Sequence, residues 1–183
     1  KVLFVDDEPN VLQSIKRSLR KDFDVDTAEG GEEALNKMQA NGSYAVIVSD
    51  MRMPGMNGVE FLSEAKKRAP DSVRMMLTGN ADQQTAVDAV NHGDIFRFLN
   101  KPCESDELSR ALNSWLRQHE LITAEKELLE QTLRGSIDAL ANALALAHPE
   151  VFGSTSRSKH RVQHLVECLG SPDSWLYESA ALL

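Results

Sequence analysis

The stretch YAVIVSDMRMPGMNG, residues 44–58, decides the fold of this chain. It joins an unbroken apolar run, residues 45–48, almost directly to Asp50, and the turn residues Pro54 and Gly55 follow. A short apolar run of this kind is typical of a strand buried on both faces of a parallel sheet. Asp50 then emerges at the carboxyl end of the strand, where open α/β sheets place their ligand crevice. A second interpretation also fits these residues, in which Asp50 only starts the following turn.

Four more strands are predicted outside this stretch, at residues 2–5, 23–28, 73–77 and 95–99, with helical spacing between them. Five strands that alternate with helices and are joined by short loops predict a doubly wound α/β sheet. Four of the five strands end in side chains of definite chemistry: Asp6 and Asp7, Asp50, Thr78, and Lys101. Because the carboxyl ends of parallel strands meet at one edge of a sheet, we expect these side chains to lie together.

The side chains expected at this edge suit phosphoryl transfer. Three carboxylates brought close repel each other, and a hard divalent cation such as Mg²⁺ removes that repulsion. The same cation neutralises phosphoryl oxygens, so that one aspartate can act as the nucleophile. Thr78 would donate a hydrogen bond to one phosphoryl oxygen, and Lys101 would supply a positive charge to another. The residues therefore predict a single aspartyl phosphate.

Four motifs, LFVDDE, VIVSDMRMPGMNG, MLTGN and FRFLNKP, closely resemble the receiver domain of two-component response regulators over about residues 1–120. The resemblance implies a flavodoxin-like five-stranded parallel sheet in the order 2-1-3-4-5, with a histidine kinase as the phosphodonor. It further implies phosphorylation at Asp50, Mg²⁺ binding by Asp6, Asp7, Asp50 and the Arg52 carbonyl, switch roles for Thr78, Lys101 and Phe98, and a cis Lys101-Pro102 bond. Phosphorylation is then expected to draw Thr78 inward and to turn Phe98.

Residues 105–134, which follow the predicted receiver domain (residues 1–104), are predicted to form a long charged helix with one apolar seam. The seam residues recur at steps of three, four or seven: Leu108, Leu112, Trp115, Ile122, Leu129 and Leu133. A partner helix explains such a seam better than solvent does, so we expect a parallel homodimer through residues 108–133. His119 and Lys126 interrupt the seam, and the alternative is that it folds back on its own receiver domain.

Residues 135–183 resemble the start of an HD-type phosphohydrolase domain, the output module of receivers that hydrolyse cyclic dinucleotides. The resemblance runs through FGSTSRSKHRVQHLVECLG and SAALL. The family's first metal-ligand histidine falls at Ser154, and serine is a poor substitute for imidazole at a transition metal. The candidate replacements are three histidines nearby: His148, His160 and His164. His160 and His164 lie four apart on one predicted helix, a spacing that can bind a metal, but without a third ligand or a general base they are interpreted as solvent-facing polar residues. We therefore expect a small all-helical, degenerate output segment with no hydrolase activity of its own.

The composition limits the partners and the compartment that we expect. A formal net charge of -8 disfavours a nucleic-acid or anionic-membrane surface. No apolar run approaches the ~20 residues of a membrane helix, so a cytoplasmic protein is expected. Cys103 and Cys168 predict neither a disulfide framework nor a metal site. The chain starts inside a strand and stops within an apolar run, which indicates a piece of a longer protein.

Two enzyme classes offer alternative functions. The first is a receiver-regulated, metal-dependent cyclic-dinucleotide phosphodiesterase, which requires histidine and aspartate ligands in the output segment. The second is a haloacid-dehalogenase-like phosphatase, which also uses an aspartate nucleophile after a strand. Such a phosphatase needs a general acid two residues after the nucleophile, and Arg52 stands there instead. A DNA-binding output is disfavoured because no basic recognition helix is visible.

Overall fold

The computed structural model describes residues 1–79 and 97–147 of the chain. The chain divides into two compact units, residues 1–123 and residues 124–183. The described elements are β1 (Val2–Val5), α1 (Pro9–Leu19), β2 (Val25–Ala28), α2 (Gly31–Asn41), β3 (Val46–Asp50), α3 (Gly58–Arg68), β4 (Val73–Thr78), β5 (Arg97–Asn100) and α4 (Ser105–Ala147). Several predictions lie outside the described residues: the helix through Ala86, Val87 and Val90, the start of the fifth strand, Ser154, and His148, His160 and His164.

The five strands form one parallel sheet in the order β2-β1-β3-β4-β5. This confirms the predicted fold class and strand order. The second strand is shorter than predicted and begins at Val25, which lies opposite Val2 of β1. Phe23 therefore precedes the strand, and it packs against the core as a partly buried side chain.

Each face of the sheet carries its own hydrophobic cluster, because successive residues of a strand point to opposite faces. Leu3 and Val5 of β1 belong to the cluster that contains Leu35 of α2 and Phe61 of α3. The neighbouring residues of β1 belong to the second cluster, which includes Val2, Phe4, Leu12 and Leu19 of α1, and Leu108, Leu112 and Trp115 of α4. Helices thus cover both faces, and polar groups concentrate at the ends of the strands.

The long helix α4 changes environment along its length. Leu112 is fully buried, and Leu108 and Trp115 are each only 5% exposed, in the same cluster as β1. The expectation that these three residues take part in a homodimer seam is therefore wrong, because their own domain already covers them. Further along the helix Leu129 is 60% exposed. The predicted division between residues 134 and 135 falls inside one continuous helix.

Among the described helices, none combines the length and the apolar character that crossing a membrane requires.

Candidate functional site

Lys101 connects two carboxylates at the carboxyl edge of the sheet. Its Nζ lies 2.6 Å from Oδ1 of Asp50, the last residue of β3. The same Nζ lies 2.9 Å from Oδ2 of Asp6, which follows β1. The structure therefore brings together three of the side chains that the sequence assigns to the site, although Lys101 and Asp6 are 95 positions apart. We call Asp6, Asp50 and Lys101 the carboxyl-edge cluster.

The charge of Lys101 is stabilised by its two partners. Partial burial by itself would lower the pKa of the ammonium, but the hydrogen bonds with Asp50 and Asp6 outweigh it and raise the pKa above its ordinary value of 10.5. The ammonium is therefore charged at neutral pH. Two carboxylates facing one ammonium leave the cluster with one unit of negative charge in excess, which attracts a further cation.

Backbone N–H groups orient both carboxylates of this cluster. The N–H of Arg52 donates to Oδ2 of Asp50 at 2.9 Å, and the N–H of Glu8 donates to Oδ1 of Asp6 at 2.9 Å. Asp6 is nearly fully buried. Each carboxylate is thus held on one oxygen by the backbone and on the other by Lys101. At both strand ends, the backbone N–H two residues after the aspartate donates to its carboxylate.

Asp7 stands apart from the shared ammonium. It is exposed and lines a surface cavity of about 700 Å³ together with residues of the loop after β3 and the start of α3: Met51, Arg52, Met53, Pro54, Asn57, Val59 and Glu60. Within residues 1–79 and 97–147, no three acidic, histidine or cysteine side chains converge as a ready-made metal cage. The predicted donors are nevertheless carboxylate and carbonyl oxygens, which suit Mg²⁺, an ion that keeps several waters and needs only one or two carboxylates. The donor set therefore fits this ion.

The remaining predicted residues lie on β4, the neighbour of the Asp50 strand, and on β5, the next strand along. Thr78 is fully buried at the end of β4, and its hydroxyl donates to the Gly79 carbonyl at 3.1 Å. The Thr78 carbonyl accepts the Lys101 N–H at 2.8 Å, which fixes where Lys101 leaves β5. Phe98 is partly buried and packs against the cluster on the α2 and α3 face. The Lys101-Pro102 peptide bond is cis.

Gly58 supports the site through a close approach to the backbone of Asp50, which was not predicted from the sequence. A Cβ at this position would lie 2.1 Å from the Asp50 carbonyl oxygen, so only glycine fits. Its N–H donates to the Met51 carbonyl at 2.9 Å and closes the loop onto the strand. Helix α3 begins at Gly58, and Asn57 and Glu60 form a capping box at this end of the helix. The sequence contains the signal, because Gly58 is the last residue of the motif at residues 44–58. Its close approach to the Asp50 carbonyl, however, is visible only in the structure.

A family model described as the response regulator receiver domain matches residues 2–113. The chain belongs to this family. Its five-stranded parallel sheet, in the order β2-β1-β3-β4-β5, is that of a receiver domain.

Individual relatives agree with this membership. The hydrogenase transcriptional regulatory protein HoxA of Cupriavidus necator is 30% identical over 98% of this chain and 36% of its own length. A crystal structure described as an adenylate cyclase from Rhodopirellula baltica is 46% identical, with a TM-score of 0.69, over 70% of this chain and 96% of that one. The response regulator protein TrrA of Thermotoga maritima, in complex with Mg²⁺-BeF, is 31% identical, with a TM-score of 0.54, over 62% of this chain and 96% of that one. The chain thus spans about a third of the length of its HoxA relative.

Proposed function

We propose that this chain is the phosphoacceptor of a two-component system and that Asp50 receives the phosphoryl group from a histidine kinase in the presence of Mg²⁺. The observation that supports the proposal most is the ammonium of Lys101, 2.6 Å from Asp50 and 2.9 Å from Asp6. The Lys101 ammonium lies beside Asp50 at the end of β3, where it can stabilise a phosphoryl oxygen. We also propose that the protein is cytoplasmic.

In the reaction that we propose, an oxygen of Asp50 attacks the phosphorus of the donor. The bond between phosphorus and the donor nitrogen or oxygen breaks, and the leaving group keeps that electron pair and takes up a proton from solvent. The Arg52 N–H holds Oδ2 of Asp50 and orients the carboxylate. Lys101, now bound to Oδ1, moves to a phosphoryl oxygen as the new bond forms. Mg²⁺, when bound by Asp6, Asp7, Asp50 and the Arg52 carbonyl, neutralises the charge of the transferred group.

The signal is then relayed by the buried hydroxyl of Thr78, which turns toward the phosphoryl group, and by Phe98, which moves into the vacated space. A phosphoryl group adds about -1.5 to -2 charges, enough to shift a two-state equilibrium of this kind. We further propose that α4 carries the change to a homodimer. Because Leu108, Leu112 and Trp115 are buried in their own domain, the dimer contact is restricted to the later part of the helix.

For the output, we propose a degenerate HD-like module that does not hydrolyse cyclic dinucleotides. A second candidate is transcriptional regulation, because the HoxA relative, a transcriptional regulatory protein, aligns with 98% of this chain. A turnover assay with cyclic dinucleotides and a DNA gel-shift assay, both on the full-length parent protein, separate these outputs. Turnover supports the phosphodiesterase alternative, and a shifted DNA band supports the transcriptional one. The absence of both turnover and a DNA shift supports the degenerate module.

The phosphoacceptor role is tested by labelling with acetyl phosphate and Mg²⁺. The wild-type chain should be labelled, and Asp50→Asn should lower the labelling by at least about 100-fold, because the amide is no nucleophile. Asp26→Asn is the matched control, since Asp26 also contacts a lysine but lies away from the carboxyl edge. Equal labelling of Asp50→Asn and the wild type would show that a residue other than Asp50 is the nucleophile.

A further inference from the structure

Met56 is the most accessible of the six methionines of this chain. It lies in the loop between β3 and α3, is partly exposed, and packs against the hydrophobic cluster on the α2 and α3 face. The other five methionines are buried, and none is more than 7% exposed: Met38, Met51, Met53, Met75 and Met76. A dissolved oxidant therefore reaches Met56 more easily than any other methionine of the chain.

The side chain of Met56 attaches its loop to the start of α2. A Cβ on Gly31, the first residue of α2, would lie 2.8 Å from Sδ and 3.1 Å from Cγ of Met56. Side-chain carbons essentially never approach another heavy atom as closely as 2.8 Å, so the thioether occupies the space that a side chain at position 31 would take. Met56 therefore lies directly against the backbone of α2.

The backbone of the same loop contacts Asp50. The N–H of Met56 donates to the Pro54 carbonyl at 3.0 Å, which closes a tight turn in the loop. Closer to β3, the N–H of Arg52 donates to Oδ2 of Asp50 at 2.9 Å. The loop is thus attached to the carboxylate near its beginning and to α2 at Met56. Since only four residues and a tight turn separate Met56 from Arg52, a shift of Met56 is transmitted to the group that orients Asp50.

We propose that Met56 is an oxidative modification site, and that its sulfoxide releases the loop from α2 and slows the phosphorylation of Asp50. The oxidant is a peroxide. Its O–O bond breaks, one oxygen bonds to Sδ, and the sulfur loses two electrons while the peroxide is reduced to water. Two thiols, acting through a sulfoxide reductase, reverse the step: they form a disulfide and release the oxygen as water. The effect on Asp50 rests on the proposed function, whereas the modification itself does not.

The sulfoxide does not fit the site that the thioether occupies. Oxidation adds an oxygen to the sulfur and converts an apolar side chain into a polar one. Toward Gly31 the sulfur leaves no room even for a carbon atom. Against the hydrophobic cluster, the new oxygen would lose its hydration without a compensating hydrogen bond. The modified side chain therefore turns toward solvent, and the loop loses its attachment to α2.

Peroxide treatment followed by phosphoryl labelling tests the proposal on the 183-residue chain. Cys103 and Cys168 are replaced by serine in every protein, so that thiols do not react. With hydrogen peroxide, peptide mass spectrometry should find the sulfoxide forming at least about tenfold faster at Met56 than at any buried methionine. Labelling of Asp50 with acetyl phosphate and Mg²⁺ should then be about tenfold slower than in the untreated chain, because the carboxylate is less well oriented. Treatment with sulfoxide reductase should restore the original rate.

Met56→Leu is the matched control, because leucine keeps an apolar side chain that peroxide does not oxidise. Each protein is compared with its own untreated sample, and peroxide should leave the labelling rate of this variant unchanged. Met56→Gln introduces a polar amide of similar length and should slow labelling without any peroxide. Gly31→Ala should keep α2 intact and raise the rate of oxidation at Met56 by about threefold or more, since the new methyl group displaces the thioether.

Hydrogen exchange separates failure of this inference from failure of the proposed function. The amides of residues 51–57 should exchange faster in the oxidised chain, whether or not Asp50 is the phosphoacceptor. Sulfoxide at Met56 with unchanged exchange and unchanged labelling overturns the inference and leaves the phosphoacceptor role standing. An equal loss of labelling in Met56→Leu, or faster oxidation of a buried methionine, also overturns it. An untreated chain without label at Asp50 overturns the proposed function, and the exchange rates then decide whether oxidation releases the loop.

Discussion

The two ends of the sheet each hold a lysine–aspartate cluster, and the clusters differ in their balance of charge. At the carboxyl edge, the carboxylates of Asp6 and Asp50 share the single ammonium of Lys101. At the opposite end, the amino-edge cluster consists of Lys1, Asp26, Asn41 and Tyr44. There one carboxylate oxygen of Asp26 accepts from the Tyr44 hydroxyl at 2.8 Å and from Asn41 Nδ2 at 3.4 Å, and Lys1 Nζ lies 3.2 Å away.

This difference separates a functional cluster from a structural one. The amino-edge cluster is neutral, and its carboxylate has three protein donors, so it has no need of a further cation. The carboxyl-edge cluster keeps one excess negative charge and lies beside the exposed Asp7. Titratable groups alone do not identify a site, since both clusters contain them. The excess of carboxylate over ammonium is the more informative feature.

The largest effect on this comparison is expected from Lys101→Gln. The variant removes the ammonium that the described residues bring to both carboxylates, and without Mg²⁺ we expect the free energy of unfolding to fall by about 1–3 kcal/mol. Phosphoryl labelling of Asp50 should slow by about 10²–10³, the usual effect of losing one charge-stabilising donor. The measurements are chemical unfolding and the rate of labelling with acetyl phosphate.

The control for this variant is the response to the cation. Mg²⁺ should raise the melting temperature of Lys101→Gln more than that of the wild type, because the ion replaces the missing positive charge. An equal response in both proteins would mean that the cation does not act at the two carboxylates.

A smaller effect is expected at the amino edge. Asp26→Asn should lower the free energy of unfolding by about 0.5–1.5 kcal/mol, because it removes the charge that strengthens the contacts with Tyr44 and Lys1. Tyr44→Phe should lower it by about 1 kcal/mol, because it removes the hydroxyl that donates to Asp26. Neither variant should change the rate of labelling at Asp50 or the response to Mg²⁺. Slower labelling in either variant, at unchanged stability, would remove the distinction between the two clusters.

The smallest effect is a difference in pH dependence. Burial alone would raise the pKa of Asp26, but hydrogen bonds from Tyr44 and Lys1 outweigh it and lower the pKa below 3.8. The stability that Asp26 contributes is therefore present above pH 3.8 and is lost as the pH falls through the folded-state value. The pKa of Lys101 is raised above 10.5, so its contribution is present below pH 10.5 and is lost as the pH rises through the folded-state value.

Unfolding measured across pH separates these two contributions. Asp26→Asn should flatten the profile only on the acid side, and Lys101→Gln only on the alkaline side. Flattening at the wrong end for either variant would contradict the assignment of charges.

The sheet and the strand ends could be predicted from the sequence, because apolar runs define buried strands and parallel pairing aligns their carboxyl ends. The ion pairs of Lys101 could not, since a contact across 95 positions depends on the exact end of β5. The seam of α4 was ambiguous for a different reason. Leu112 and Leu129 follow the same spacing, yet one is fully buried in its own domain and the other is 60% exposed. Periodicity defines a helix face but carries no information about what covers it.

The most direct test of the central claim is chemical mapping of the acyl phosphate. The wild-type chain is treated with acetyl phosphate and Mg²⁺, the aspartyl phosphate is reduced with borohydride to homoserine, and the peptides are analysed by mass spectrometry. We expect homoserine at position 50 and unmodified aspartate at positions 6, 7 and 26. Homoserine at one of those positions, with Asp50 unmodified, would contradict the account.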